Sequence, residues 1–528
     1  MHHALHIGEI LFNVFGHCYY TNPSQAVERS RSTADLAALA RTCRTFKEPA
    51  LDVLWSELID LSPLAFCLPE CHRSSGNVLL FFILMHFSHA FVSQCYSFSR
   101  PRNDAEWDTL RSYTRRVWCI VSFSSPKGYL DPTCISTTFN PPLVDPLFPN
   151  LRFLKWQGGI ATLPVMHFSV PLLTSLDIRS APREDVSVYT HLLNTLVPRC
   201  SNIRKVRIQV TANVQFGETV YRHLRTWNKL QVIHCHDFPM PVDVIPHVSH
   251  ISTLLWLSFS LHTPSPTLIS PPTSPPTFSQ LAFLEMASES LDSVTSLIAQ
   301  IRLPAVRVLI ATFTTRPARA TVASYLSTLN TTCTSNSLTD LRLLNLRTSI
   351  AHISPPIDDI PQDDRLTLDD LRPCMAFRNL HALHINLEWS IDLTDADLLA
   401  LVSAWPNIQH LVINDRWGWR TTHGITLNGL VQILQRCRFL WELCIALDTE
   451  NVTDTSGPLD VDVSSRNPFR LNVADSLIRP EPASALRTLL SVFEFSHNSD
   501  RFLAWAGSEM EGMPGADTFR HLWRSVFL

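Results

Sequence analysis

A short apolar pattern recurs along most of this 528-residue chain. It consists of one apolar residue, two variable residues, a second apolar residue, one variable residue and a third apolar residue. Successive first positions lie 22 residues apart at Leu151 and Leu173 and 42 residues apart at Leu338 and Leu380. The eleven first positions, in chain order, are Leu151, Leu173, Ile203, Leu230, Leu254, Leu281, Val306, Leu338, Leu380, Ile408 and Leu440. Alternation of this kind predicts a half-buried β-strand at each position.

Apolar residues at helical spacing fill several intervals between these strands, as in segments 189–197, 322–329 and 427–434. A strand that alternates with a helix every roughly 20–29 residues is typical of leucine-rich repeats, which stack into solenoids. We therefore predict an α/β fold in which residues 148–528 form an irregular leucine-rich-repeat solenoid. Its parallel sheet is expected to curve, with the helices on the convex side. Segments rich in proline or polar residues predict loops at 262–279, 348–370 and 451–466.

The variable strand positions point away from the apolar ones, because successive side chains of a strand alternate between the two faces of a sheet. The residues predicted to line the concave face and bind a partner are Lys155, Asp177, Arg207, His234, His236, Trp256, Glu285, Arg342, His384, His410 and Glu442. Their mixed charges favour a protein or peptide over nucleic acid, and the net charge of −4 agrees. Trp256 is the predicted hot spot if it is exposed, and a structural residue if it folds against the adjacent loop.

The N-terminal 60 residues carry three apolar stripes at helical spacing, within segments 7–15, 36–43 and 51–58. The polar stretch 21–32 between the first two stripes is interpreted as a loop. Three helices of this length bury little apolar surface by themselves, so the module is expected to need a partner or the domain that follows it.

The same segments resemble an F-box. The resemblance rests on IGEILFNVF at 7–15, LAALARTCRTF at 36–46 and LW at 54–55, although Gly8 stands where the family commonly has proline. In that family the F-box packs against the SKP-type adaptor of a cullin–RING ubiquitin ligase. The resemblance implies that an F-box spans residues 1–60. It also implies that the adaptor contacts are made by Ile7, Ile10, Leu11, Val14 and Leu36.

Later segments resemble the F-box proteins of mushroom-forming fungi. The resemblance rests on DRWGWRTTHGIT at 415–426, LVQILQRC at 430–437, and Trp107 with Tyr113 and the run RRV at 115–117. Residues 61–147 are interpreted as a helical linker that leads into the repeats. The apolar run 76–98 does not fit the resemblance and is interpreted either as a genuine insertion or as an unspliced intron in the gene model. His86, Ser88 and His89 interrupt this run too early for a membrane span of about 20 apolar residues.

Motifs that carry chemistry are scarce. No glycine-rich phosphate loop, GxSxG or HExxH sequence occurs, so neither catalysis nor a cofactor is expected. Cys67, Cys71 and His72 lack a second ligand pair at zinc-finger spacing, and His234 and His236 are interpreted as polar residues of the binding face. No bound metal is therefore expected. The 13 cysteines, without a secretory signal, indicate a reduced protein of the cytoplasm or nucleus.

Two functional hypotheses follow from the sequence. In the first, the chain is the substrate-recognition subunit of an SCF-type ubiquitin ligase, with the F-box on the adaptor and the repeats on an unknown protein substrate. In the second, it is a leucine-rich-repeat scaffold that binds partners outside any ligase. A third class, an enzyme built on a repeat scaffold, has no supporting motif.

Overall fold

The structure is a computed structural model that divides into two compact units, Met1–Phe238 and Pro239–Leu528. Each unit combines helices with a parallel sheet, so the chain is α/β. The residues it describes are 7–19, 26–59, 61–68, 71–74, 95–98, 103–122, 129–130, 146–157, 168, 170–180, 185–210, 214–261, 275–346, 365–421, 424–449, 469–478, 501–507, 509–510, 513 and 515–526.

Helices of the first unit begin with a three-helix module at the N-terminus. The helices are α1 Gly8–Tyr19, α2 Ala26–Thr42, α3 Arg44–Leu54, α4 Ser62–Phe66, α5 Asp104–Thr114, α6 Val186–Leu196 and α7 Val214–Leu224. Side chains fix where some of them start. Asn103 accepts a hydrogen bond from the Glu106 backbone N–H at 2.9 Å, and the Glu106 carboxylate accepts one from the Asn103 N–H, which closes a capping box at α5.

The strands of the first unit form two sheets. The strands are β1 Glu57–Leu58, β2 Cys71–Ser74, β3 Cys95–Phe98, β4 Cys119–Ser122, β5 Tyr129–Leu130, β6 Phe153–Gln157, β7 Ser175–Arg179, β8 Lys205–Gln209 and β9 Val232–Met240. The larger sheet is parallel in the order β1-β4-β6-β7-β8-β9, and β2, β3 and β5 form the smaller one. Strands β1 and β4 therefore extend the parallel sheet to positions before residue 148, which the apolar pattern did not reveal.

The N-terminal module has a small core of its own. Leu11 and Phe15 of α1 pack with Leu36, Ala50 and Val53, and each of these residues is at most 4% exposed. The three predicted helices are present, but two boundaries were wrong. The stretch interpreted as a loop is helical from Ala26 onward. The third helix ends at Leu54 instead of continuing to residue 58, because Glu57 and Leu58 pair with β4.

The second unit repeats a strand and a helix along its length. Its strands are β10 Trp256–Leu261, β11 Phe283–Ser288, β12 Val308–Phe313, β13 Asp340–Asn345, β14 Arg365–Leu366, β15 Ala382–Asn386, β16 Ser390–Ile391, β17 His410–Ile413, β18 Glu442–Cys444, β19 Arg470–Asn472 and β20 Phe502–Leu503. Its helices are α8 Ile245–Ser249, α9 Leu291–Gln300, α10 Arg319–Thr332, α11 Leu368–Leu371, α12 Asp395–Ala404, α13 Leu427–Arg436 and α14 Ala516–Ser525. Short 3₁₀ turns at Val242–Val244 and Arg372–Ala376 accompany them. Apart from the pair β14–β16, these strands form one parallel sheet in chain order.

A ladder of leucines runs through the core of the second unit. The residues in register on adjacent strands are Leu257, Leu284, Leu309, Leu341, Leu383, Leu411, Leu443 and Leu471. All are at most 1% exposed. Burial of a leucine side chain contributes about 1.5–3 kcal/mol relative to exposure, so the ladder is a main source of stability in this unit. Parallel strands with such a ladder and intervening helices have the organisation of leucine-rich repeats.

The predicted strands of the repeat pattern are confirmed in both units. Each of the eleven first positions is at most 2% exposed, and a strand begins two residues after each of them, as at Leu151 and Phe153. The helices predicted around 189–197, 322–329 and 427–434 are α6, α10 and α13.

Most of the predicted loops lie outside the described residues. Of 348–370, the described end was wrongly predicted, because Arg365 and Leu366 form β14 and α11 begins at Leu368. The Arg319 guanidinium reaches both oxygens of Asp370, at 3.0 and 2.9 Å, and ties this segment to α10. Of the apolar run 76–98, only Cys95–Phe98 is described, as a strand. No helix of the described segments is long and apolar enough to cross a membrane.

Candidate functional site: the open face and amino-terminal rim of the second unit

The strands of the second unit present a face opposite the leucine ladder, which we call the open face. Its side chains lie in rows because adjacent strands are in register. The first row holds Trp256, Phe283, Val308, Asp340, Ala382, His410, Glu442 and Arg470. The second row holds Ser258, Glu285, Ile310, Arg342, His384, Val412, Cys444 and Asn472. The first row lies nearer the amino-terminal ends of the strands, an edge that we call the amino-terminal rim.

The predicted binding residues of the second unit fall into both rows. Trp256, His410 and Glu442 stand in the first, and Glu285, Arg342 and His384 in the second. Trp256 is half-buried and stacks on Phe283, with ring centroids 3.4 Å apart and an interplanar angle of 12°. Trp256 thus packs on a neighbouring strand of the sheet. The sequence analysis had predicted either an exposed hot spot or packing against the adjacent loop, and this contact is neither.

An open groove follows the amino-terminal rim across four strands. Its volume is ≈ 790 Å³, within the range of roughly 300–1,000 Å³ that is usual for ligand sites. Its lining residues are Ala305, Arg307, Val308, Asn336, Ser337, Thr339, Asp340, His381, Ala382, Gln409 and His410. The lining mixes small apolar side chains with amide, hydroxyl and charged groups, which suits noncovalent binding of a polar chain.

A charged cluster joins the groove at β17 and β18. His410 Nδ1 lies 2.8 Å from Glu442 Oε2, and Arg470 donates to Glu442 Oε1 at 3.2 Å. The hydrogen bond from His410 is the main reason that the pKa of Glu442 lies below its ordinary value; burial opposes this, and Arg470 adds to it. The carboxylate is therefore ionised and has partners on both sides.

An exposed tryptophan stands beside this cluster. Trp441 is 44% exposed, and its ring lies 4.1 Å from that of His410 between centroids, close to edge-on. Its backbone N–H and that of Glu442 both donate to the carbonyl of Gln409, so the groove and the tryptophan share one segment of backbone. Phe439, two residues earlier, is 59% exposed. The sequence analysis missed both aromatic residues, although they lie on either side of Leu440, the first apolar position of its repeat.

A second ion pair lies in the middle of the rim. Arg342 donates to both oxygens of Asp340, at 3.0 and 2.7 Å, and this hydrogen bonding raises the pKa of Arg342. The predicted binding residue Arg342 is exposed, yet its charge is matched by a neighbour on the same strand.

The carboxyl-terminal rim of the same sheet is closed. Asn414 is fully buried and has a φ of 55°; its side chain accepts from Leu387 N–H and donates to the carbonyls of Trp389 and Gly418. Asp415 accepts from Asn386 at 2.8 Å and lies 3.1 Å from His384 Nε2. The predicted binding residue His384 is thus half-buried in an internal network.

One buried carboxylate holds the loop at this closed rim. Asp475 accepts hydrogen bonds from the backbone N–H groups of Trp419 at 2.6 Å and Arg420 at 2.7 Å. Burial nevertheless raises the pKa of Asp475, because the charged form has lost its hydration. Gly418 has a φ of +77°, and a Cβ at this position would lie 2.5 Å from Asp475 Cγ, so only glycine allows this approach.

In the first unit, register places Lys155, Asp177, Arg207 and His234 in one row. Asp177 was predicted to line the binding face, but the structure buries most of its side chain. Its side chain is 10% exposed, 3.4 Å from Arg179 Nε and 3.8 Å from Arg207. These two arginines cover it and satisfy its charge. The rings of His234 and His236 contact each other, with centroids 4.8 Å apart.

The apolar stripe of α1 is divided between core and surface. Ile7, Ile10 and Val14 are 47%, 38% and 48% exposed, whereas Leu11 and Leu36 are at most 1% exposed. The predicted adaptor contacts therefore need correction, because Leu11 and Leu36 fill the core of the module. Periodicity alone could not separate the two edges of the stripe, which lie on the same side of the helix.

No protein-family model matches this chain, and no curated protein matches its sequence. Among solved structures, the chain is similar to an internalin from Listeria monocytogenes, with 11% identity, a TM-score of 0.30, and coverage of 70% of this chain and 94% of that one. It is also similar to a plant peptide hormone receptor, with 11% identity, a TM-score of 0.23, and coverage of 76% and 61%. A third similarity is to the leucine-rich-repeat ectodomain of a membrane receptor kinase from Arabidopsis thaliana, with 10% identity, a TM-score of 0.24, and coverage of 69% and 46%. The chain thus spans less than two thirds of either plant protein, and these similarities carry no argument about what it binds.

Proposed function

We propose that the chain is the substrate-recognition subunit of an SCF-type cullin–RING ubiquitin ligase. The N-terminal module would bind an SKP-type adaptor, and the open face would bind a protein substrate. The observation that carries the proposal is the exposed apolar edge of α1, formed by Ile7, Ile10 and Val14, in a module that resembles an F-box in sequence.

The exposed apolar edge of α1 does not form part of the core of the N-terminal module. Leu11, Phe15 and Leu36 already fill the core, so the exposed parts of Ile7, Ile10 and Val14 are not needed to complete it. Contiguous exposed apolar side chains indicate a surface that another protein covers. Covering the three side chains would contribute roughly 1 kcal/mol or more for each, since about half of each remains to be buried.

The proposed role involves no bond chemistry in this chain. The ligase would act by holding the substrate near the ubiquitin-carrying subunit, which raises the effective concentration of the reacting groups. In this role the protein would work in the cytoplasm or nucleus and would bind neither nucleic acid nor a cofactor.

The scaffold hypothesis keeps one specific observation in its favour. The groove on the amino-terminal rim lies in the second unit and requires no adaptor to bind a partner. Adaptor binding therefore decides between the two hypotheses.

The test is a pull-down of the purified full-length chain with a purified SKP-type adaptor. Ile10→Asp and Val14→Asp should abolish binding while keeping the circular dichroism spectrum and lowering the melting temperature less than Leu11→Ala does, because both side chains are partly exposed. Ile59→Asp is the matched control, because Ile59 is also 38% exposed but lies outside α1. Leu11→Ala should reduce stability instead, by about 3 kcal/mol. If the folded wild-type chain does not pull down the adaptor, the ligase proposal is refuted and the scaffold hypothesis is favoured.

A further inference from the structure

We propose that the groove on the amino-terminal rim binds a short, extended peptide segment that carries an unmodified acidic side chain, with the carboxylate on Arg307. This inference names the substrate class for the site in the proposed function and rests on that function for its biological role. The binding itself is independent of the adaptor.

The length of the groove fits an extended chain. Val308, Asp340, Ala382 and His410 line it and lie in register on four adjacent strands. Three strand spacings of about 4.8 Å give a span of roughly 14 Å. An extended peptide advances about 3.3–3.6 Å per residue, so about four residues cross the floor.

The chemistry of the lining also fits a peptide. The side-chain amides of Asn336 and Gln409 can hydrogen-bond to peptide N–H and C=O groups. The hydroxyls of Ser337 and Thr339, which donate to carbonyls of the chain, can still accept from a peptide N–H. His381 Nδ1 lies 2.8 Å from the carbonyl of Asn379 and must donate to it, since a carbonyl only accepts. The other nitrogen of the neutral ring is then an acceptor for a peptide N–H. Small side chains such as Ala382 leave space at the bottom of the groove, where every second side chain of an extended peptide would point.

The charge of the groove selects an acidic side chain. The carboxylate of Asp340 is occupied by Arg342, and that of Glu442 lies between His410 and Arg470. Arg307 is exposed at the edge of the groove and, among the described residues, forms an ion pair with no carboxylate. The ion pairs of Asp340 and Glu442 carry little net charge, so the guanidinium of Arg307 makes this edge of the groove positive. A positive edge complements a carboxylate of the peptide.

A carboxylate fits this edge better than a phosphorylated side chain. Sites that recognise phosphorylated motifs use clusters of arginines, because a phosphate carries nearly two negative charges. Among the residues that line the groove, Arg307 is the one arginine, so it cannot form such a cluster. One guanidinium fork matches one carboxylate in both charge and geometry.

The other end of the groove offers an aromatic anchor. Trp441 is 44% exposed and packs against His410, so its ring stands at the end opposite Arg307. Exposed tryptophans supply much of the binding energy at protein interfaces. The expected peptide therefore has an acidic residue at one end and an apolar residue a few positions away.

The experiment uses the purified full-length chain and a phage-displayed library of short linear peptides as the probe. Arg307 and Trp441 lie four strand spacings apart, roughly 19 Å, so we expect the wild type to enrich peptides that contain an acidic and an apolar residue about five or six positions apart. A fluorescently labelled version of the strongest peptide should lose affinity by roughly tenfold or more when its glutamate or aspartate is replaced by lysine. Replacement of the acidic residue by phosphoserine at that position should weaken binding.

Charge reversal in the protein is the decisive variant. Arg307→Glu should weaken binding of the acidic peptide and select peptides with lysine or arginine at the same position. Arg302→Glu is the matched control, since Arg302 is also exposed and precedes the same strand but does not line the groove. The control should keep the wild-type preference. Trp441→Ser should weaken binding without changing the charge preference.

Three results would overturn the inference: no enrichment by the folded wild type, the same acidic preference in Arg307→Glu, or binding of the phosphopeptide alone. Ile10→Asp separates this test from that of the proposed function, because it removes the adaptor contact and should leave peptide selection intact. Failure of the folded wild type to bind the adaptor, together with normal peptide selection, would refute the ligase proposal and retain the peptide site.

Discussion

The two rims of the second unit carry similar polar residues but use them in opposite ways. At the amino-terminal rim, the His410–Glu442–Arg470 cluster and the Asp340–Arg342 pair remain partly exposed around a groove. At the carboxyl-terminal rim, Asn414 and Asp475 are buried, and their side chains bond mostly to backbone groups.

This difference determines what each rim contributes. An exposed ion pair adds about 0–1 kcal/mol to stability, so the amino-terminal rim is free to change without harm to the fold. A buried polar group that loses its partner costs about 1–3 kcal/mol, so the carboxyl-terminal rim tolerates little change. We therefore expect substitutions at the first rim to alter binding and substitutions at the second to alter stability.

The largest expected effect is that of Asp475→Ala. The change removes the acceptor of the backbone N–H groups of Trp419, which is buried, and of Arg420, which is partly buried. The free energy of unfolding should fall by about 4 kcal/mol, measured by chemical denaturation. Asp475→Asn keeps the size of the side chain and one acceptor, and its loss should be smaller.

A matched control for this prediction is Asp517→Ala, since the Asp517 side chain is 93% exposed and pairs with Arg520 nearby on α14. It should change stability by less than about 0.5 kcal/mol. Equal stability of Asp475→Ala and Asp517→Ala would show that the closed rim is not a source of stability.

Asn414→Ala should have the second largest effect. The side chain makes three hydrogen bonds to backbone groups, at 2.8, 2.9 and 3.1 Å, and asparagine also tolerates a φ of 55° better than alanine does. We expect a loss of about 3 kcal/mol in the free energy of unfolding. The exposed Asn407 supplies the control variant Asn407→Ala, which should unfold at the wild-type denaturant concentration. A similar midpoint for both variants would contradict the role of Asn414.

The repeat strands were predictable because burial dictates them locally. Each strand begins two residues after an apolar residue that is at most 2% exposed, as Val308 follows Val306. The signal lies within six residues, so it can be read from one segment at a time. Strands β1 and β4 were missed because they lack the full pattern, and their pairing joins residues about 60 positions apart in sequence.

The candidate site was only partly predictable. Strand alternation placed His410 and Glu442 on the correct face, but their bond to each other depends on the register of two strands. The contact of Asp475 with Trp419 spans 56 residues, and no local pattern announces it. Helical periodicity likewise gave the stripe of α1 but could not tell that Leu11 faces the core while Ile10 faces outward.

The smallest expected effect concerns pH at the open rim. The pKa of Glu442 lies below its ordinary value because of His410 and then Arg470, so its ionised form is favoured in the folded state. This contribution to stability is present above the unfolded-state pKa of about 4.3 and is lost as the pH falls through the lower folded-state value. Glu442→Gln should therefore melt at a slightly lower temperature than the wild type at neutral pH. The difference should disappear as the pH falls well below 4.3, as measured by melting curves across the acidic range.

Glu289→Gln, at an exposed glutamate of the same unit, should follow the wild type at every pH. A constant difference between Glu442→Gln and the wild type across that range would show that the ionised cluster does not stabilise this rim.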